Sequence, residues 1–218
     1  MALISSKGGP LLGSIEVPGD KSISHRALIL GALAIGETKI TGLLESEDVL
    51  ATAAAMRQLG AIIARDQEDG NNSWIVSGRG VGGLREPEQI LDMGNSGTAA
   101  RLLLGLLATH SFETTMIGDK SLSSRPMERV MSPLRDIGCN FISRSGGKLP
   151  ITTIGTVNAM PSDLTLQIPS AQIKSALLLA GLNSPGITRI IEKNPSRDHT
   201  EKMLKYFGAE IDVIINDD

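Results

Sequence analysis

Residues 21–61 read KSISHRALILGALAIGETKITGLLESEDVLATAAAMRQLGA, and two later stretches repeat their plan. Residues 95–139 read NSGTAARLLLGLLATHSFETTMIGDKSLSSRPMERVMSPLRDIGC, and residues 170–209 read SAQIKSALLLAGLNSPGITRIIEKNPSRDHTEKMLKYFGA. Each begins with small polar residues followed by a basic one: Arg26, Arg101 or Lys174. An apolar run comes next, then a short β-prone run, then a second helical pattern that closes on Gly60, Gly138 or Gly208. Arg101 follows Arg26 by 75 positions, Met131 follows Met56 by 75 and Met203 follows Met131 by 72. Three copies at a near-constant period indicate one supersecondary unit used three times.

Inside a unit the period of apolar residues changes. Residues 24–34 are Ala- and Leu-rich with Gly31 the sole breaker, which predicts a buried helix. Gly36, His110 and Gly186 mark where the first helices stop. Residues 40–41, 115–117 and 188–191 predict strands. Residues 47–59, 127–137 and 199–207 predict amphipathic helices. Further strands are expected at 61–64, 140–143 and 210–215, with return strands at 74–76 and 151–154. The stretch 69–72 (DGNN) predicts the turn of the first hairpin, and 216–218 a turn with no return strand, which suggests a truncated or split chain. The class is α/β, with three related units packed around a helical core.

Composition narrows the function. The 218 residues carry a formal charge of −3, 21% charged and 41% hydrophobic residues, but only 2% aromatic ones. An acidic balance with few stacking rings argues against nucleic acid. No apolar run approaches the roughly 20 residues that span a bilayer, and residues 1–13 lack a signal-peptide pattern. The single Cys139 fits a reducing compartment and reads as a buried structural thiol. Together these predict a cytoplasmic protein.

The three helix starts carry the chemistry. Gly19-Asp20-Lys21-Ser22, residues 94–98 (GNSGT) and residues 169–172 (PSAQ) each place cap-forming residues before an apolar helix. A helix N-terminus bears about half a positive charge, so three in equivalent repeats could converge on one anion. Lys21, Arg26, Arg101 and Lys174 stand near those starts, and Arg125 and Arg197 lie in loops before the second helices. The plainer alternative is three good caps among solvated charges. There is no P-loop pattern, no dinucleotide fingerprint and no Gly-x-Ser-x-Gly elbow. His25, His110 and His199 are far apart and give no metal-ligand spacing, while Asp198 reads equally as a helix cap or a site residue.

Residues 19–26 (GDKSISHR), 94–101 (GNSGTAAR), 124–127 (SRPM), 170–176 (SAQIKSA) and 197–201 (RDHTE) together resemble the EPSP synthase (3-phosphoshikimate 1-carboxyvinyltransferase) family, and most the bacterial glyphosate-tolerant branch. The resemblance runs from about residue 12 to 215 and implies one lobe of the enolpyruvyl transferase fold, built of three βαβαββ units. It implies a single N-terminal lobe over 1–218, with repeats at about 15–85, 86–160 and 161–218, residues 1–14 near the crossing between lobes, and the C-terminal lobe absent. The family transfers the enolpyruvyl group of phosphoenolpyruvate to shikimate 3-phosphate, with no metal and no organic cofactor. By resemblance, Lys21, Ser22, Arg26, Ser170, Ala171, Gln172 and Arg197 bind shikimate 3-phosphate. Lys21, Gly97, Arg125 and Gln172 line the phosphoenolpyruvate side, where glyphosate inhibits, and Lys21 is the catalytic candidate. The family's main proton-transfer carboxylate belongs to the second lobe, so this chain is expected to bind but not turn over alone. Members of the tolerant branch often carry Ala where this chain has Gly97, so a roomier pocket is expected. Two rivals are the UDP-N-acetylglucosamine enolpyruvyl transferases, whose catalytic Cys has no counterpart in residues 120–125, and a non-catalytic anion-binding or assembly module.

Overall fold

Six helices alternate between fully and half-buried, and that alternation follows their sequences. The computed structural model describes residues 3–10, 12–67 and 73–215. Helices α1 (Lys21–Leu33), α3 (Gly97–Leu107) and α6 (Ala171–Gly181) open the three repeats. They are apolar on nearly every side: Leu28, Leu102, Leu103 and Leu104 are 0% exposed. Helices α2 (Glu47–Gln58), α5 (Glu128–Asp136) and α7 (His199–Tyr206) bury one stripe each, through Val49, Ala53 and Met56, through Val130, Met131 and Leu134, and through Thr200 and Leu204. Helix α1 packs against α2 and α7, α3 against α2, α5 and α6, and α6 against α5.

The sheets flank these helices. Strands β1 (Glu37–Thr41), β2 (Ile62–Arg65) and β3 (Ser73–Ser77) form an antiparallel sheet in the order β1-β3-β2. Strands β4 (Leu91–Asp92), β5 (Glu113–Ile117), β6 (Asn140–Arg144) and β7 (Lys148–Ile154) form a second in the order β4-β5-β7-β6. In it β4 runs parallel to β5, and Thr115 faces Thr152. Strands β8 (Asp163–Leu166) and β9 (Arg189–Glu192) pair in parallel, repeating the β4–β5 arrangement. The middle repeat is thus a full βαβαββ unit with a one-turn helix, α4 (Lys120–Ser123), inserted after β5. This is the α/β architecture expected, three related units around a core of helices.

One expectation needs correction. Residues 210–215 form no strand; their counterparts β2 and β6 pair with return strands β3 and β7, and no such partner faces 210–215 among the described residues. Residues 12–17 also form no strand, and Leu12, Ile15 and Val17 are exposed. Arg125 lies, as expected, in a loop before the second helix, and the one-turn α4 precedes that loop, its start capped by Asp119, which accepts a hydrogen bond from the Leu122 amide at 2.7 Å. The expected turns at 69–72 and 216–218 fall outside the described residues.

Candidate functional site

The three first helices are capped alike. The side chain of Asp20 accepts from the Ile23 amide at 2.8 Å, Ser96 from Ala99 at 3.2 Å and Ser170 from Ile173 at 3.4 Å. The capping reading is therefore right, and it is compatible with a site. Lys21 from α1, Gly97, Thr98 and Arg101 from α3, and Gln172 from α6 line one cleft of about 530 Å³. Asp48 of α2, Asn95, Asp119, Ser121 and Arg125 complete its wall. The three repeats bring their helix N-termini to this cleft, where partial positive charge and backbone donors gather.

Each cationic side chain in the cleft has a defined hold. The Lys21 ammonium lies 3.0 Å from Asp48, and its side chain is 55% exposed. Arg101 donates to the Gly97 carbonyl at 3.0 Å, and Arg125 donates to the Ser121 hydroxyl at 3.1 Å. Burial, and then the charge of Arg125, lower the Arg101 pKa, so the two guanidinium groups repel one another across Gly97. Asp48 is held below the ordinary carboxylate range: burial opposes its charge, but hydrogen bonds from Ser46 and Lys21 outweigh that. Gln172 donates to the Thr98 hydroxyl at 2.9 Å, which fixes the start of α6 against the start of α3. Three cations against Asp48 and Asp119 leave the cleft with a positive excess inside an acidic chain. Such a surface takes a small ligand bearing phosphate or carboxylate groups, for which Arg provides paired donors.

Of the expected site residues, Lys21, Gly97, Arg125 and Gln172 come together in the cleft. Ser22, Ser170 and Ala171 stand at the ends of the helices that carry Lys21 and Gln172. Arg26 is 5% exposed and points inward, donating to Thr200 at 2.6 Å, to Ser175 at 2.7 Å and to the Ser22 carbonyl at 2.9 Å. Burial, and then the charge of Arg197, lower the Arg26 pKa, and Arg197 itself is exposed. Lys174, expected among the anion-seeking cations, is instead bonded to Glu192 and Glu201 at 2.7 and 2.6 Å. Asp198 makes no capping bond and pairs with Lys202 at 2.8 Å.

Asp48, Asp119 and Ser121 line the cleft without having been singled out in the sequence, whereas Asn95, Thr98 and Arg101 belong to the second helix start that was. Arg101 had a signal, being the cation of its repeat, and Asp119 sits three residues before Leu122 at cap spacing. Cys139 is buried, and burial pushes its thiol up to about 12, as a structural thiol requires. Among the described residues no group of three or more His, Cys, Asp or Glu could hold a metal ion, and no helix is long and apolar enough to cross a membrane.

Comparison with known proteins agrees with the fold. The family described as EPSP synthase (3-phosphoshikimate 1-carboxyvinyltransferase) matches residues 5–217. A 3-phosphoshikimate 1-carboxyvinyltransferase of Parvibaculum lavamentivorans is 60% identical over 212 residues, covering 97% of this chain and 46% of the relative. One of Novosphingobium aromaticivorans is 60% identical over 205 residues, covering 94% and 46%. A solved EPSP synthase from Acinetobacter baumannii superposes with a TM-score of 0.87 at 44% identity, over 93% of this chain and 45% of that one. The chain thus spans about half the length of the curated relatives it matches.

Proposed function

The chain belongs to the EPSP synthase (3-phosphoshikimate 1-carboxyvinyltransferase) family, and on that premise we propose that it is the N-terminal lobe of a transferase of the shikimate pathway. In this reading the enolpyruvyl group of phosphoenolpyruvate passes to shikimate 3-phosphate, with release of phosphate. The lobe comprises repeats at about 15–85, 86–160 and 161–218, with residues 1–14 near the crossing to a C-terminal lobe. The five sequence motifs support placement in the glyphosate-tolerant bacterial branch, and a cytoplasmic location follows from a pathway of small soluble anions.

The observation that carries the reading is the meeting of Lys21, Gly97, Arg125 and Gln172 in one positive cleft. Both substrates are anions, and Lys21 stands where three helix starts converge. In the reaction its ammonium is the catalytic group, stabilising charge that develops between the two bound anions. Arg125, with Arg101 beside it, takes the phosphoenolpyruvate side over the bare backbone of Gly97. Ser22, Ser170, Ala171 and Gln172 hold shikimate 3-phosphate, together with Arg197 and the Arg26 donors not already committed to Ser22, Ser175 and Thr200. Glyphosate, also an anion of this size, competes for the Gly97–Arg125 side.

In this reading the main proton-transfer carboxylate comes from the second lobe. The two carboxylates of the cleft are engaged, Asp48 with Lys21 and Asp119 with the Leu122 amide. The chain alone is therefore expected to release no phosphate from the two substrates, whereas mixing it with the C-terminal half of one of its relatives restores release. Closing of two lobes over the substrates would also expel water. Turnover by the 218-residue chain alone contradicts the proposal, as does failure of a firmly associated mixture. The UDP-N-acetylglucosamine reading is disfavoured by Cys139, which is 1% exposed and lies outside the cleft.

A further inference from the structure

Lys174 is a buried cation with a geometry that caps and charges at the cleft do not explain. It projects from the first turn of α6 and is 7% exposed. Its ammonium lies 2.7 Å from Glu192 Oε2 and 2.6 Å from Glu201 Oε1. Glu192 is the last residue of β9, Glu201 lies in the first turn of α7, and the loop 193–198 between these elements carries Arg197. One nitrogen therefore holds both ends of that loop. Glu192 also accepts from the Ser196 amide at 3.3 Å and the Ser196 hydroxyl at 2.6 Å, directly before Arg197. The second oxygen of Glu201 is buried without a hydrogen-bond partner, so this carboxylate depends on Lys174.

Burying such a triplet costs desolvation that its attraction only partly offsets, so it is weak evidence for stability. What it specifies is geometry. The neighbouring network adds to this, since Ser175 Oγ lies 2.6 Å from Thr200 Oγ1 and both accept from Arg26. Together these bonds tie the start of α7 and the root of Arg197 to the helix whose first residues are Ala171 and Gln172.

We propose that Lys174 is a positioning residue that, through Glu192 and Glu201, sets Arg197 relative to the start of α6, so that both grip the phosphate group of one ligand. The inference rests on the reading of Arg197 as a phosphate contact. Its test is a double-mutant cycle of Lys174→Met and Arg197→Ala, titrated calorimetrically with shikimate 3-phosphate and with phosphate-free shikimate. Hydrogen exchange of the amides at 193–199 is followed in the same proteins. Lys174→Met is expected to weaken shikimate 3-phosphate by about tenfold and shikimate by less than about twofold, with the double variant no weaker than Arg197→Ala. Exchange rises at 193–199 and stays unchanged in α3, and Lys174→Arg restores part of the affinity. Losses that multiply in the double variant overturn the proposal, as does an equal loss for the two ligands. If the unmodified chain binds no shikimate 3-phosphate, the functional reading fails on its own. The positioning claim is then decided by exchange, where an unchanged loop overturns it and a locally faster loop supports it. Should Lys174→Met not fold, Glu201→Gln carries the same comparison and leaves the Ser196 bonds to Glu192 in place.

Discussion

Gly97 stands between two guanidinium groups, and its missing side chain sets the shape of the cleft. A Cβ there would lie 2.8 Å from Arg101 Nη1 and 3.1 Å from Arg125 Nη1. Those ends must move to admit a methyl group, which costs about 1–3 kcal/mol when room is short. Gly97→Ala is therefore expected to weaken glyphosate more than phosphoenolpyruvate. In the chain completed by a second lobe, the glyphosate concentration for half-inhibition should rise roughly tenfold or more. An unchanged inhibition curve would show that another wall residue, such as Thr98, limits the pocket. Lys174 gives a second residue-scale lesson. A lysine amid Ile173, Ser175 and Ala176 on an apolar helix implies an internal partner, but Glu192 and Glu201 lie 18 and 27 positions away. Only the folded chain shows which carboxylates meet it.

At the scale of elements, α3 and α6 owe their close approach to Gly105. A Cβ at Gly105 would collide with the Ala176 carbonyl, which cannot swing away as a side chain can. The same approach sets Gln172 against Thr98. Gly105→Ala is expected to destabilise the chain by roughly 2–4 kcal/mol, read as a lower urea midpoint. A midpoint within error of the parent would mean that the two helices separate freely. His25 of α1 makes a second prediction. Its ring is buried, Nδ1 lies 2.7 Å from Thr52 Oγ1, and Nε2 has no hydrogen-bond partner. Burial pushes its pKa down to about 4, helped by the charges of Lys21 and Arg26 and opposed by Asp48. The unfolded chain then binds the proton more readily than the folded one. Stability is full above about pH 6.5 and falls by roughly 3 kcal/mol as pH drops toward 4. His110, also lowered by burial, adds in the same direction. Urea unfolding between pH 4.5 and 7 should show this slope, and His25→Gln should flatten it; an undiminished slope in that variant would assign the effect elsewhere.

The elements also show what periodicity can and cannot reveal. Helices α1, α3 and α6 were legible because apolar runs follow cap residues at Asp20, Ser96 and Ser170. Short pieces were not: β4 spans Leu91–Asp92, too brief for alternation, and α4 is one turn. Residues 210–215 alternate like a strand, yet a strand needs a ladder partner, which is a property of the sheet rather than of the segment. The convergence of three helix starts, with Arg101 near one of them, was legible as a suggestion from the repeat, and Asp48 became visible in the cleft only through packing.

At the scale of the whole molecule, three copies of one unit place three like-charged helix ends together. An acidic chain can therefore hold a local positive cleft of about 530 Å³. Repetition keeps the geometry, while each copy spends its cation differently. Arg101 enters the cleft, Arg26 is turned into a buried network, and Lys174 clamps a loop. The cleft offers binding groups from all three repeats, while the proton-transfer carboxylate is proposed to come from a second lobe, so binding and turnover separate. The central proposal is that this chain, by itself, binds shikimate 3-phosphate. Calorimetric titration of shikimate 3-phosphate into the 218-residue chain tests it most directly, with Lys21→Met and Arg197→Ala titrated alongside. The account predicts saturable one-to-one binding, weakened at least about tenfold in each variant, as loss of a charged hydrogen bond entails. Heats of dilution alone, or binding equal in all three proteins, would contradict it.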